Sequence, residues 1–573
     1  MGQPPPGRDR SRDVSQPLDK LHDNERLKAG SNYLRGTIAA SLADPITWAV
    51  EERDNKLMKF FGIYMQDDRD LRDERRRQKL EPAYQFMVRL RLPGGVLSPA
   101  QWLALDALCD SHGNGTLRLT DRQTFQFHGI VKPRLKPLIQ ALRSVGLDTI
   151  AACGDDNRGV MAAGSPHRSR VHAELHQLAQ AVSAHLRPRT SAYAEIWYDE
   201  QPAGPDHEPL YGPTYLPRKF KIGFAVPPVN DIDVYAQDLG FIAILEDGRL
   251  AGFNVTVGGG MGRTDNAPHT YPRVGDVIGF VTPERVLAVA EHTVAIQRDY
   301  GDRVDRQHAR FKYTIDDRGT EWFAAELALR SGFALEPARA FRFECNTDEF
   351  GWVQSEDGLW HCTLFVLNGR IKDDATTRVR SALRAIAAAH DGEFRLTPNQ
   401  NVIIARVRAG ERARIEQLLA EHGIHAERSL LQRNAISCVA LPTCALAMAE
   451  SERYLPALIE RIEALMRASG VAEQPLTIRM SGCPNGCSRP YIAEIGFTGR
   501  APGKYNMYLG GGAHGQRLNR MFLENVGEER ILAALGEIFG RYARERQSGE
   551  PFGDFVIRAG IVAEVKAGRD FNT

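Results

Sequence analysis

Residues 118–126 read RLTDRQTFQ, and residues 395–400 read RLTPNQ. Arg118-Leu119-Thr120 thus returns as Arg395-Leu396-Thr397, and Gln123 returns as Gln400. The surroundings return as well. FMVRLRLPGGVL (86–97) reads as a strand ending in a turn, and SPAQWLALDALCDSHG (98–113) has helical spacing with Ser98 as N-cap. TLRLTDRQTFQFHGI (116–130) then gives two strand-like pieces. The same order recurs in WHCTLFVLNGRI (360–371), TTRVRSALRAIAAAH (376–390) and FRLTPNQNVIIARV (394–407). A further pair, FNVTVGGGMG (253–262) and YNMYLGGGAHG (505–515), repeats in step with the first. Two repeats in one order predict a duplicated α+β chain. The cleft where its halves meet is the expected place for a site.

The 573 residues allow three or four domains, and 43% hydrophobic with 25% charged residues is ordinary for a globular protein. A net charge of +1 and the lack of a basic-aromatic patch argue against nucleic-acid binding. No stretch reaches the ~20 apolar residues of a membrane span. The start, MGQPPPGRDRSRD, has no apolar core, and Pro6 spoils a myristoylation motif at Gly2. A cytoplasmic location is expected. Residues 1–80 read as an arm, its first dozen residues disordered, with the charged run 67–79 (DDRDLRDERRRQK) as a solvated helix face.

Eight cysteines are too few for a disulfide scaffold. Cys109, Cys153, Cys345 and Cys362 are scattered and read as small buried hydrophobes. Five residues lie between Cys438 and Cys444, and three lie between Cys483 and Cys487 within SGCPNGCSRP. Residues 445–482 separate the pairs and contain a helical stretch that can return the chain. Zinc favours two to four residues between paired ligands, whereas an iron–sulfur cluster is larger and suits wider loops. Gly482, Pro484 and Gly486 leave room for a bulky group beside the metal. A cluster is favoured, with zinc and purely structural cysteines as rivals.

C-x5-C, then Ser-Gly-Cys-x3-Cys, then Glu494-Ile495-Gly496-Phe497 after six residues, resembles the signature of the nitrite and sulfite reductases that bind siroheme and a [4Fe–4S] cluster. The resemblance runs from about Asn32 to the C-terminus. It implies two ferredoxin-like half-domains (81–150 and 351–426) paired by a pseudo-twofold axis. It also implies an α/β siroheme and substrate domain (151–350) and an α/β cluster and siroheme domain (427–573). All four clustered cysteines would bind one cluster, Cys487 also bridging to the iron of one siroheme. Arg89, Arg158, Lys219 and Lys221 match the family's anion-binding positions. Arg118, Thr120, Arg122, Gln126, Arg218, Arg310 and Asn485 match its siroheme-binding positions. At Arg310 a close relative carries Lys, so the charge is kept with a new fork geometry.

The residue types suit that chemistry. Reduction of sulfite needs dense cations for charge and proton supply. Lys219 and Lys221, two apart in YLPRKFKIGF (215–224), point to one side of an extended chain. Arg118, Arg122 and Gln126, at even steps, would share one strand face. His128 beside Phe127 reads as structural. Gly510–Gly515 fits G-x-G-x-x-G but lies at the chain's end, so it is expected not to bind a dinucleotide. Electrons are then expected from a partner: a flavoprotein that oxidises NADPH through FAD and FMN, or ferredoxin. The charged arm is a candidate docking element. Lys-x-Lys at 219–221 favours sulfite, since nitrite-reducing relatives resemble Lys-x-Asn there. A cluster-bearing regulator is the alternative of a different class.

Overall fold

The computed structural model describes residues 17–572, apart from 165, 203, 426 and 427. The first dozen residues, expected to be disordered, lie outside the described ones. Four five-stranded sheets carry the fold, and they come in two matched pairs.

The first pair are the ferredoxin-like sheets. One runs Ile63–Asp67, Tyr84–Arg89, Phe125–Ile130, Leu117–Leu119 and Arg370–Ile371. The other runs Gly351–Gln354, Trp360–Leu364, Val402–Val407, Glu393–Leu396 and Val96–Leu97. Each sheet ends on a two-residue strand lent by the other half. Val96 pairs with Arg395, and Arg370 pairs with Arg118. So the PGGVL segment, read from sequence as the turn that ends a strand, carries Val96–Leu97 across to the partner half. The helices Pro99–Ser111 and Val379–Ala389 close the unit. Ser98 and Gln101 form a capping box on the first. Arg380 holds Asp106 at 2.7 Å, and Trp102 stacks on Phe394 with centroids 4.6 Å apart.

The repeated motifs occupy equivalent places. Gln123 (φ 51°) and Gln400 (φ 69°) both adopt the left-handed conformation, which costs a non-glycine residue of order 1–3 kcal/mol unless its surroundings hold it. Gln123 Nε2 donates to the Ala162 carbonyl at 2.7 Å, and Gln400 Nε2 to the Ser437 carbonyl at 2.7 Å. Ala162 and Ser437 end the first strand of the second pair of sheets. These run 161–162, 222–225, 239–246, 249–257, 276–281 and 435–437, 478–481, 495–501, 504–509, 520–526. Both have two parallel pairings followed by two antiparallel ones. The glycine repeats explain themselves here. A Cβ on Gly259 would lie 2.2 Å from the Tyr235 carbonyl, and one on Gly511 2.2 Å from that of Ala493.

Two expectations change. The segment before residue 81 is not all arm: Leu34, Ile38, Leu57, Phe60, Phe61 and Ile63 are buried in the main core, and Ile63–Asp67 is a strand of the first sheet. Apolar side chains outweighed the charged run, which does form the exposed helix Arg72–Arg77. RLTDRQTFQ is a hairpin rather than one strand. Arg118 and Gln126 are cross-strand partners, and Arg122 sits in the turn between them.

Candidate functional site

Cys438 follows the strand Ala435–Ser437 and Cys483 follows Ile478–Ser481, which are parallel neighbours, so both leave one edge of the sheet. Cys444 and Cys487 lie on the same two turns. The Gly482 amide donates to Cys438 Sγ at 3.2 Å, and Asn485 Nδ2 lies 3.6 Å from Cys483 Sγ. Gly482 is required there: a Cβ would meet that of Ala440 at 2.5 Å. The sulfurs are close enough to feel one another's charge. Burial, then Cys487 and Cys483, holds the Cys438 thiol well above its ordinary range. Burial and Cys487 push Cys483 up to about 12 and raise Cys444. Four such thiolates are stable only around a cation. Among the described residues no three of these sulfurs lie within 4.8 Å of one another. One zinc ion with bonds of about 2.3 Å would hold four sulfurs roughly 3.8 Å apart, whereas an iron–sulfur cluster takes a wider cage.

Cys487 is the exposed member of the four. Cations crowd on that side. Burial, then Arg218 and Arg158, brings Lys219 down to about 7, while the Cys487 charge works the other way. Lys221 is held well below its ordinary range by burial, Arg122 and Lys219. Arg122 is lowered to about 9 by burial and Arg158, and Arg218 to about 10 by burial and Arg306. Each of these groups destabilises its neighbour's charge. A polyanion beside them relieves all of them at once. A siroheme with eight carboxylates is such a group, and the residues present fit it.

The predicted residues stand as follows. Arg89 and Arg118 flank Gln126 on neighbouring strands. His128 Nε2 lies 3.2 Å from the Gln126 side chain, a structural contact. Arg122 donates to Gln237 Oε1 at 2.9 Å and to the Gly159 carbonyl at 2.7 Å. Thr120 Oγ1 accepts from the Arg122 amide at 3.2 Å. The Arg158 amide bonds to the Phe220 carbonyl at 3.0 Å, which fixes Arg158 beside the 219–221 segment. Arg310 reaches Asp238 at 3.1 Å and overlooks Gly260 and Gly262, the latter against Asn485. Arg118, expected at the siroheme, turns its guanidinium to Glu452 at 3.0 Å and to the Ser437 and Asn368 carbonyls, the former just before Cys438.

The sequence reading gave several residues of the site no role. Cys153 Sγ accepts from Arg89 and, at 3.2 Å, from Arg158; these arginines outweigh burial and bring the thiol down to about 7. Asp155 is held well below the carboxylate range: burial opposes its charge, but Arg306 at 2.9 Å, Lys28 at 3.5 Å and Arg218 outweigh it. Lys312, fully buried, donates to the Gly260 (3.2 Å), Gly262 (2.7 Å) and Tyr271 carbonyls and so shapes the glycine loop. Asp233 and Arg489 precede equivalent 3-10 turns, both left-handed (φ 47° and 57°), and pair with each other across the pseudo-twofold axis. The repeat alignment was a signal that could have found that pair. Gly510–Gly515 leads into the strand Arg520–Val526 with no helix, so it lacks the helix N-terminus that a dinucleotide motif needs.

A duplicated sheet pair with a four-cysteine edge facing a cationic cleft defines a redox protein for a small anion. The chain belongs to the nitrite and sulfite reductase family. Residues 77–145 and 353–422 match the nitrite/sulfite reductase ferredoxin-like half domain, and 179–335 match the nitrite and sulphite reductase 4Fe-4S domain. That last span holds none of the four cysteines, which lie in its structural duplicate. Curated relatives named "Sulfite reductase [NADPH] hemoprotein beta-component" include those of Afipia carboxidovorans (62% identical, 98% of this chain and 99% of the relative), Nitrosomonas europaea (58%, 99% of each) and Shouchella clausii (56%, 96% and 97%). The solved structure of Mycobacterium tuberculosis NirA shares the fold, with a TM-score of 0.76 at 23% identity over 96% of this chain and 98% of that one.

Proposed function

We propose that this chain is the catalytic haemoprotein subunit of an assimilatory sulfite reductase, working in the cytoplasm for cysteine biosynthesis. It carries one siroheme and one [4Fe–4S] cluster, and its electrons come from a flavoprotein subunit that oxidises NADPH through FAD and FMN. The observation that carries this reading is the crowding of Lys219, Lys221, Arg122, Arg158 and Arg218 beside the exposed Cys487.

Cys438, Cys444, Cys483 and Cys487 hold the cluster, with Cys487 also toward the siroheme iron. When bound, the coupled centre stores electrons and offers sulfur an open iron position. Arg118, Thr120, Arg122, Gln126, Arg218, Arg310 and Asn485 hold the siroheme. Arg89, Arg158, Lys219 and Lys221 bind the anion. Reducing the sulfite dianion to hydrogen sulfide and three waters takes six electrons and eight protons. Lys219, near 7, can both give a proton and regain one at neutral pH. Arg158 keeps its charge, and Arg158 and Arg89 fix the oxygens. In domain terms, 81–150 and 351–426 are the half-domains, the first extended by Ile63–Asp67; 151–350 and 427–573 enclose the cofactors.

The test is sulfide formation from sulfite by the purified holoprotein, with reduced methyl viologen as donor. No sulfide from protein that shows siroheme absorption refutes the proposal.

A further inference from the structure

Asp155 and Asp156 are neighbours with opposite surroundings. Asp155 lies between Arg306 at 2.9 Å and Lys28 at 3.5 Å. Asp156 is fully buried, and among the described residues neither of its carboxyl oxygens has a hydrogen-bond partner. A carboxylate buried without a cation or donors against its oxygens is too costly to stay ionised, so Asp156 holds its proton. Burial, then the Cys153 and Asp155 charges, lifts its pKa well above the carboxylate range; Arg158 opposes the rise and Glu208 adds to it.

Asp156 belongs to the anion site. Its carbonyl accepts from the Phe220 amide at 2.9 Å, while the Arg158 amide donates to the Phe220 carbonyl. This bridge, centred on Asn157, turns the Asp156 and Arg158 side chains to one side. Cys153, three residues back, takes hydrogen bonds from Arg158 and Arg89. Behind Asp156 a line of protonatable groups runs outward. Tyr211 and Tyr215, with ring centroids 5.8 Å apart, both feel its charge. Tyr211 commits its hydroxyl proton to the Leu186 carbonyl at 2.6 Å. Tyr215 donates to Glu208 Oε1 at 3.0 Å. Glu208 is buried, which raises its pKa, and it lies just beneath the surface, since His207 and Pro209 beside it are exposed.

We propose that Asp156 is the proton store of the anion site, passing its proton to Cys153 and being recharged from Glu208 through Tyr215. The inference rests on the function proposed above, whose reaction consumes eight protons in a buried cleft. The O–H bond of Asp156 breaks as an S–H bond forms on the Cys153 thiolate. Cys153 then gives that proton to an oxygen of the anion held by Arg89 and Arg158, and the oxygen leaves as water once it holds two. Tyr215 hands its hydroxyl proton to Asp156 as it takes one from Glu208, which regains its own from solvent. No electron moves in these transfers. Arg158 and Arg89 outweigh burial and hold Cys153 near 7, so it both takes and gives a proton at neutral pH. Asp156 is thus a positioning residue for protons that acts through Cys153, beside the separate supply from Lys219.

The test compares full-length holoprotein with its D156N and E208Q variants, siroheme absorption confirming assembly. Asparagine is neutral and nearly the size of a protonated aspartate. Infrared spectra at pH 7 in H2O and D2O should show a protonated-carboxyl band in wild type that D156N lacks. With reduced methyl viologen as donor, D156N lowers kcat for sulfite about tenfold at pH 8, less than the loss of a sole general acid because Lys219 remains, and leaves the sulfite KM within about twofold. The gap narrows toward pH 6, where solvent protons replace the store. E208Q lowers kcat with the same pH trend and keeps the Asp156 band. Identical carboxyl bands in wild type and D156N overturn the proposal. So does a D156N kcat within about twofold of wild type at pH 8, or an equal loss at every pH, which marks a merely structural role. If D156N assembles no holoprotein, E208Q decides, and a wild-type kcat in it overturns the relay. A wild-type chain with no viologen-driven activity overturns the function instead; the infrared pair then decides by itself whether Asp156 stores a proton.

Discussion

Replacing Asp233 with Asn removes a carboxylate shared by two buried arginines. Asp233 is fully buried, Arg479 is 1% exposed and Arg489 is 5% exposed. Arg479 donates both terminal nitrogens to Asp233, and Arg489 adds its Nε. Removing one partner of a buried ion pair costs about 3–5 kcal/mol, because the remaining charge is left without compensation. Arg489 keeps Asp121 at 2.9 Å and the Pro398 carbonyl at 3.1 Å, so the loss falls mainly on Arg479. We take the lower figure, about 3 kcal/mol. Arg479 lies on the strand before Cys483, and Arg489 lies two residues after Cys487, so the cysteine turns open locally. An opening free energy lower by that amount speeds amide exchange roughly 150-fold. Hydrogen–deuterium exchange of peptides spanning residues 478–492 measures it, without requiring the whole chain to unfold in one step. The double variant D233N/R479M should recover most of the protection, since it removes both charges. Exchange in D233N within about threefold of wild type would refute the view that this pair clamps the turns.

Cys487→Ser should abolish the visible absorption of the coupled centre and sulfide formation together; retained full activity rules out the bridging role. Lys221→Asn is expected to lower sulfite turnover more than nitrite turnover, and equal losses discard the Lys-x-Lys argument. Lys219 has a folded pKa below its unfolded value, so the unfolded chain binds more protons between about 7 and 10.5, and this group makes stability rise with pH across that window. An anion bound beside Lys219 raises its pKa, so binding sulfite at pH 8 should take up as much as about one proton. Calorimetry in buffers of different ionisation enthalpy reads that uptake, and no buffer dependence would contradict it.

The four clustered cysteines, the duplicated RLT-x2-Q and GGG motifs and the capped helix at Ser98 were legible because each depends on spacing within a few residues or on one stretch compared with another. The Lys219–Lys221 pair was legible for the same reason: extended chain repeats every second residue. What failed was any inference that carried local periodicity across a turn. Arg118 and Gln126 do face one another, but through a hairpin. Arg118 was placed only by its match to a siroheme-binding position, because nothing local reveals its partner Glu452, 334 residues away. The charged run hid the strand Ile63–Asp67, whose partner lies beyond it.

By itself, then, the sequence determined the duplication, the redox cysteines and the stock of cations. Only the tertiary structure decided that the halves exchange edge strands, that Asp233 meets Arg479 and Arg489 at the pseudo-twofold axis, and that Asp155 and Cys153 position the arginines of the cleft. It also decided that Cys487 is the exposed cysteine of the four and lies beside the cations. The physical reason is one of range. Helix caps, strand alternation and ligand spacing are set by bonded neighbours. A buried ion pair is set by which surfaces the hydrophobic core brings together, and that contact is made between residues 246 and 256 positions apart.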